Sequence, residues 1–90
     1  QSPTVLGAQI ANELLDINGI EASFVLTEYN NKIYVSARSL DTINVQLIME
    51  RMGGGGHMNM AGVQIEGKSL EEVKQMVIET VKEMKADKSI

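Results

Sequence analysis

Lys32-Ile33-Tyr34-Val35-Ser36-Ala37-Arg38-Ser39 alternates with a period of two. Ile33, Val35 and Ala37 leave one side of an extended chain, and Tyr34, Ser36 and Arg38 leave the other. Such a pattern predicts a strand with one face on a core. The residues before it, Tyr29-Asn30-Asn31-Lys32, read as a tight turn, because Asn tolerates the positive φ that short hairpins demand. Ala22-Ser23-Phe24-Val25-Leu26 is a short apolar run and supplies the hairpin's other strand.

Outward from this hairpin the periodicity becomes helical. Leu6, Ile10 and Leu14, with Ala11 and Leu15 beside them, form one apolar stripe. Ser2-Pro3 suits its start and Asn18-Gly19 its end. Val45, Ile48, Met49 and Met52 fall at i, i+3, i+4, i+7, predicting a short helix that stops at Gly53. Gly62 to Glu66 reads as a third strand with Val63 and Ile65 on one face. Ser69 and Glu72 make a capping box, and Leu70, Val73, Val77, Val81 and Met84 carry the last helix to about Lys85. The expected fold is α/β, in the order α-β-β-α-β-α. It comprises a small mixed sheet, made of a hairpin plus one further strand, and three packed helices. Residues 1–90 read as a single domain. A helix start at the third residue and no initiator Met suggest a segment of a longer protein.

Composition narrows the function. The chain is 43% hydrophobic and 22% charged, with net charge −4 and no cysteine. The absence of cysteine excludes disulfides and thiolate metal sites, and fits a cytoplasmic setting. No apolar run reaches the ~20 residues of a membrane helix, so no direct membrane contact is expected. The acidic balance disfavours long nucleic acid, whose binding needs many cations against phosphates. Lys32, Arg38 and Arg51 are the only Lys or Arg residues before Lys68, so an anion site must be local.

Gly53-Gly54-Gly55-Gly56-His57 is the unusual segment. Four glycines cost backbone entropy and add no packing. Such a run serves where φ must be positive or where something approaches the backbone closely, and successive N–H groups there can form an anion nest. A flexible connector is the alternative. His57, the only histidine, cannot bind a metal alone. It either pairs with a backbone group or contacts a phosphate or base. Arg38, two residues after Ser36, offers a planar fork of donors, and Ser36 and Ser39 add hydroxyls. A solvated strand-end Arg is the alternative. Met49, Met52, Met76 and Met84 are core filler by position. Met58 and Met60 follow the glycines and are candidates to line a pocket, and Tyr34 is the one ring on the Arg38 face. There is no Ser/His/Asp set, no GxxxxGK[ST] loop and no strand-then-GxGxxG order.

Gly53-Gly54-Gly55-Gly56-His57-Met58-Asn59-Met60-Ala61-Gly62 resembles the GGGH…AG signature of the DHH-associated domain, subfamily 1. Val35-Ser36-Ala37-Arg38-Ser39 is similar to that family's S-x-R-S strand motif. The match in spacing covers nearly the whole chain, and its wording looks closest to the cyclic di-AMP phosphodiesterases of Firmicutes. The fourth glycine, and Met58-Asn59-Met60-Ala61 in place of a doubled Ala, depart from many relatives.

The resemblance implies a substrate-binding domain that follows a catalytic DHH domain of the same chain. That other domain would hold two divalent metals, usually manganese, which activate the attacking water; this chain would bind no cofactor and be catalytically silent alone. Ser36, Arg38, Ser39, Gly53, Gly54, Gly55, Gly56 and His57 would hold nucleotide or phosphate, with Tyr34 and Met58 as candidate base contacts. The expected ligand is cyclic di-AMP or a short linear dinucleotide. Rival expectations are an oligoribonuclease or single-strand exonuclease, and an interaction or homodimerisation module using the last helix. An editing domain of a tRNA-charging enzyme would want a more basic surface. The parent protein would be cytoplasmic, or anchored to a membrane through another segment.

Overall fold

The computed structural model describes residues 7–9, 11, 21–40 and 42–89. Residues 7–9 and 11 are helical and belong to α1. There follow β1 (Ala22–Tyr29), β2 (Lys32–Ser39), α2 (Val45–Arg51), β3 (Gly55–His57), β4 (Met60–Glu66) and α3 (Leu70–Ala86). The expected α/β class and the order of helices and long strands hold. Ser2-Pro3, the stripe residues Leu6, Ile10, Leu14 and Leu15, and Asn18-Gly19 lie outside the described residues. Ala11 of that stripe is buried.

The four strands form one sheet in the order β1-β2-β4-β3. Every pairing is antiparallel, so the sheet is not mixed in strand direction. The glycine run, expected to be a loop, contributes the additional strand. Glycine has little strand propensity of its own. Gly55–His57 is extended because a two-residue turn at Met58-Asn59 folds it back onto β4, pairing His57 with Met60 and Gly55 with Gly62. β1 also runs three residues beyond the expected Leu26. Its turn is only Asn30-Asn31, with φ of 52° and 62°, the paired positive values of a type I′ hairpin.

The core lies on one face of the sheet. Ile33, Val35 and Ala37 of β2 and Ala61, Val63 and Ile65 of β4 meet Val45, Ile48 and Met49 of α2 and Val73, Val77 and Met84 of α3. Met52, Met76 and Val81 pack against this cluster from its margin. Leu70, expected in the stripe, is 43% exposed: as the first residue of α3 it precedes the turn that meets the sheet. The Ser69 hydroxyl accepts from the Glu72 N–H at 3.1 Å, and the Ser69 N–H donates to the Glu72 carboxylate at 2.9 Å. This is the capping box the sequence predicts.

The end of α2 sets where the glycine strand begins. The Gly53 N–H donates to Glu50 O at 3.1 Å and the Gly54 N–H to Met49 O at 2.8 Å, with Gly53 at φ 95°. This is the Schellman closure, which places a left-handed residue just past the helix. Arg51, in the last turn, pairs with Asp87 at 3.1 Å and so ties the C-terminal ends of α2 and α3.

Candidate nucleotide-binding face

The cross-strand register brings five of the predicted residues, Tyr34, Ser36, Arg38, Gly55 and His57, onto one face, and leaves Ser39, Gly53, Gly54, Gly56 and Met58 off it. Paired residues point to the same side of a sheet. Arg38 pairs with Ser23 on β1 and with Met60 on β4, and Met60 pairs with His57 on β3. Ser23, Arg38, Met60 and His57 therefore form one row. The next row is Val25, Ser36, Gly62 and Gly55, and the third is Thr27, Tyr34 and Gln64. All three lie opposite the core. Arg38 and His57 stand two strands apart, roughly 10 Å backbone to backbone.

Gly7 and Ala11 of α1 lie over the β1–β2 side of this face. A Cβ on Gly7 would stand 3.1 Å from Thr27 Oγ1 and 3.5 Å from Ser36 Oγ, so the helix crosses β1 and β2 at close range. The Ser23 hydroxyl donates to Ala11 O at 2.7 Å. The β4–β3 half stays open. Met60 is 51% exposed, His57 and Gln64 are exposed, and Gly55 and Gly62 are half-buried.

Arg38 is not a solvated strand-end residue. It is 8% exposed, and its Nη1 donates to Ala37 O at 2.8 Å. Burial pushes its pKa down, yet an arginine stays charged at any ordinary pH. The row thus contains a buried cation on β2. Ser36 is half-buried under Gly7.

Ser39 does different work from the contact expected of it. It is 5% exposed and its hydroxyl donates to Ile43 O at 2.5 Å. The same oxygen accepts from Asn59 Nδ2 at 3.1 Å, and that amide also donates to Leu40 O at 2.9 Å. The Ser39 N–H bonds Asn59 O at 3.1 Å, and the Val45 N–H bonds Met58 O at 2.9 Å. Ser39 and Asn59 therefore clasp the β3–β4 turn to the end of β2 and the start of α2. The clasp fixes where His57 stands. The sequence signals this role of Asn59 only through an amide side chain two residues after His57, where turn chemistry is expected.

The fold requires three of the four glycines. Gly53 needs its positive φ. A Cβ on Gly54 would overlap Gly62 O and Val63, and one on Gly56 (φ 147°) would stand 2.5 Å from Ala61 Cα and Met60 O. Gly55 differs: a Cβ there would meet nothing within 4 Å. The fold does not demand glycine at 55. The His57 imidazole has no hydrogen-bond partner among the described residues, so the pairing of His57 with a backbone group is not what holds it. Met58 lies in the turn, 45% exposed, and Tyr34 is half-buried beside Gln64. The two missed positions on the open face, Gly62 as a partner of Gly55 and Gln64, become visible only once the register of β4 is known.

Among the described residues no three His, Asp or Glu side chains converge to hold a metal. No helix among the described residues is long and apolar enough to cross a membrane. A concavity of about 240 Å³ between Phe24, Ile43, Ile48 and Val81 opens on the core side, away from Arg38 and His57. The candidate face itself is open, and a second surface is needed to enclose a ligand on it.

The chain matches the DHHA1 domain over residues 5–83, and it belongs to that family. It is 43% identical over 79 residues to the cyclic-di-AMP phosphodiesterase PdeA of Listeria monocytogenes, covering 87% of this chain and 12% of that protein. It is 40% identical over 80 residues to the cyclic-di-AMP phosphodiesterase GdpP of Bacillus subtilis, covering 88% of this chain and 12% of that protein. The bifunctional oligoribonuclease and PAP phosphatase NrnA of Thermus thermophilus is 33% identical over 67 residues, covering 74% of this chain and 21% of that protein. The chain thus spans a small part of the length of these relatives, which are phosphoesterases by name.

Proposed function

We propose that this chain is the nucleotide-holding domain of a DHH-family phosphodiesterase acting on cyclic di-AMP or a short linear dinucleotide. The observation that carries the proposal is Gly55. It is the one glycine of the run that the fold leaves free to be something else, and it lies on the open half-face next to the row of Arg38, Met60 and His57. A bare backbone with open space above it lets a ligand approach closely. Arg38 supplies a charge from the same face two strands away, and His57 supplies a donor at the sheet edge.

The remaining work falls to a partner surface. In this reading a DHH catalytic domain faces the open sheet, supplies two divalent metals, and encloses the dinucleotide between the domains. The chain's net charge of −4 favours a ligand with few phosphates. The site lies in the cytoplasm in this proposal, whatever anchors the parent protein. Action on longer RNA, as the name of the Thermus relative has it, is the second reading. Self-association through the apolar stripe of α3 is less well supported, since Val73, Val77 and Met84 are buried within the domain.

The test is a titration of the 90-residue chain, labelled with nitrogen-15, with linear diadenylate. Backbone amide shifts at Gly55, Gly56 and His57 are the expected result. Shifts confined to α2 and α3, or none at millimolar ligand, would remove the proposal.

A further inference from the structure

We infer that Gln64 is a specificity-determining residue, its side-chain amide reading the edge of an adenine ring seated in a slot floored by Gly55 and Gly62. The inference rests on the proposed nucleotide-holding role and names the base and the residue that would select it.

The slot follows from register. Gly62 and Gly55 are direct cross-strand partners on the face opposite the core. Neither has a side chain, so the row they form is lower than its neighbours. One wall is Met60 with His57, and the other is Gln64. Met60 and Gln64 are four residues apart on one strand, so the walls stand roughly 13 Å apart along it. That width admits a flat ring lying on the glycine peptides. The Met60 thioether, 51% exposed, is a soft apolar contact for such a ring.

Gln64 is exposed, and its amide has no hydrogen-bond partner among the described residues. Its neighbours on the face are Tyr34 across the β2 pairing and Gly62 along the strand. A glutamine amide presents one donor and one acceptor side by side. Adenine presents the complement, an N6 amino donor beside an N7 acceptor, whereas guanine offers two acceptors, O6 and N7, at the same edge. A single amide satisfies the first pattern with two bonds and the second with one. No Arg or Lys lies in the Gly62 or Gln64 row to serve guanine instead.

The experiment is a set of shift titrations of the chain and its Gln64→Ala and Gln64→Glu variants with linear diadenylate, diguanylate and diuridylate. The unmodified chain should favour diadenylate over diguanylate by about tenfold, the discrimination of one good bidentate pair. Both variants should lose most of that preference, with an unchanged melting midpoint because the residue is exposed. Met60→Ala should weaken all three ligands alike. If the ligands shift Gly55–His57 but Gln64→Ala keeps the full adenine preference, this inference fails while the proposed role stands. If no ligand moves Gly55–His57 in the unmodified chain, both fail.

Discussion

Arg38 and His57 flank one residue, Met60, from its two sides, on the same face of the sheet. Backbone pairing thereby sets a buried guanidinium and an exposed imidazole two strands apart. Because Arg38 is 8% exposed and bonded to Ala37 O, its replacement cannot be silent in the fold. Arg38→Lys keeps the charge but loses the fork. It should lower stability by about 1.5–3 kcal/mol, the range for bonds made by charged groups, and weaken dinucleotide binding as well. Denaturant melts beside a binding titration would check both parts; an unaltered midpoint would mean that the buried bonds contribute nothing.

Gly54→Ala and Gly56→Ala should each destabilise the domain. The new methyl at 54 overlaps Gly62 O, and at 56 it stands 2.5 Å from Met60 O, both backbone atoms. Overpacking of this kind costs about 1–3 kcal/mol. Thermal unfolding followed by circular dichroism is the measurement, and melting midpoints equal to the unmodified chain would contradict the packing of β3 on β4.

Ile33→Ala removes a fully buried side chain at the centre of the core. A loss of about 2–5 kcal/mol is expected. A change under half a kilocalorie in urea unfolding would place the core on the wrong face of β2.

Acid should loosen the start of α3. Glu72 has a pKa below the usual glutamate range, chiefly because its carboxylate accepts the Ser69 backbone N–H, and also through the Ser69 hydroxyl. Its folded value lies below its unfolded value, so its contribution is complete above the unfolded value, ~4.3. That contribution is lost as pH falls through the lower folded value. The Ser69 amide proton resonance should therefore titrate with an inflection below that of an unstructured glutamate. An inflection at or above it would show that the capping box does not form.

Much of the fold was readable because side chains declared it. The alternation of Ile33, Val35 and Ala37, the Asn30-Asn31 turn and the Ser69–Glu72 box each act locally, and each stands where its chemistry predicts. β3 was not readable, because glycines carry no pattern and their extension comes from pairing with Met60–Gly62. The site divides the same way. Arg38 and the glycine run stood out by residue type, but nothing local to Val35–Ser39 declares that Arg38 is 8% exposed. Ser39 looked like a free hydroxyl because its partners, Ile43 O and Asn59, are distant in sequence or belong to the backbone.

The central claim is that Gly55 is glycine for a ligand and not for the fold. Gly55→Ala adds a methyl group into open space, at a residue whose φ is outside the left-handed region. The melting midpoint should stay level or rise, since Gly→Ala at a compatible site stabilises by about 0.4–1 kcal/mol. Diadenylate binding, measured on the same preparation by amide shifts, should weaken at least fivefold. Unchanged binding in a variant that folds as well as the parent would contradict the account.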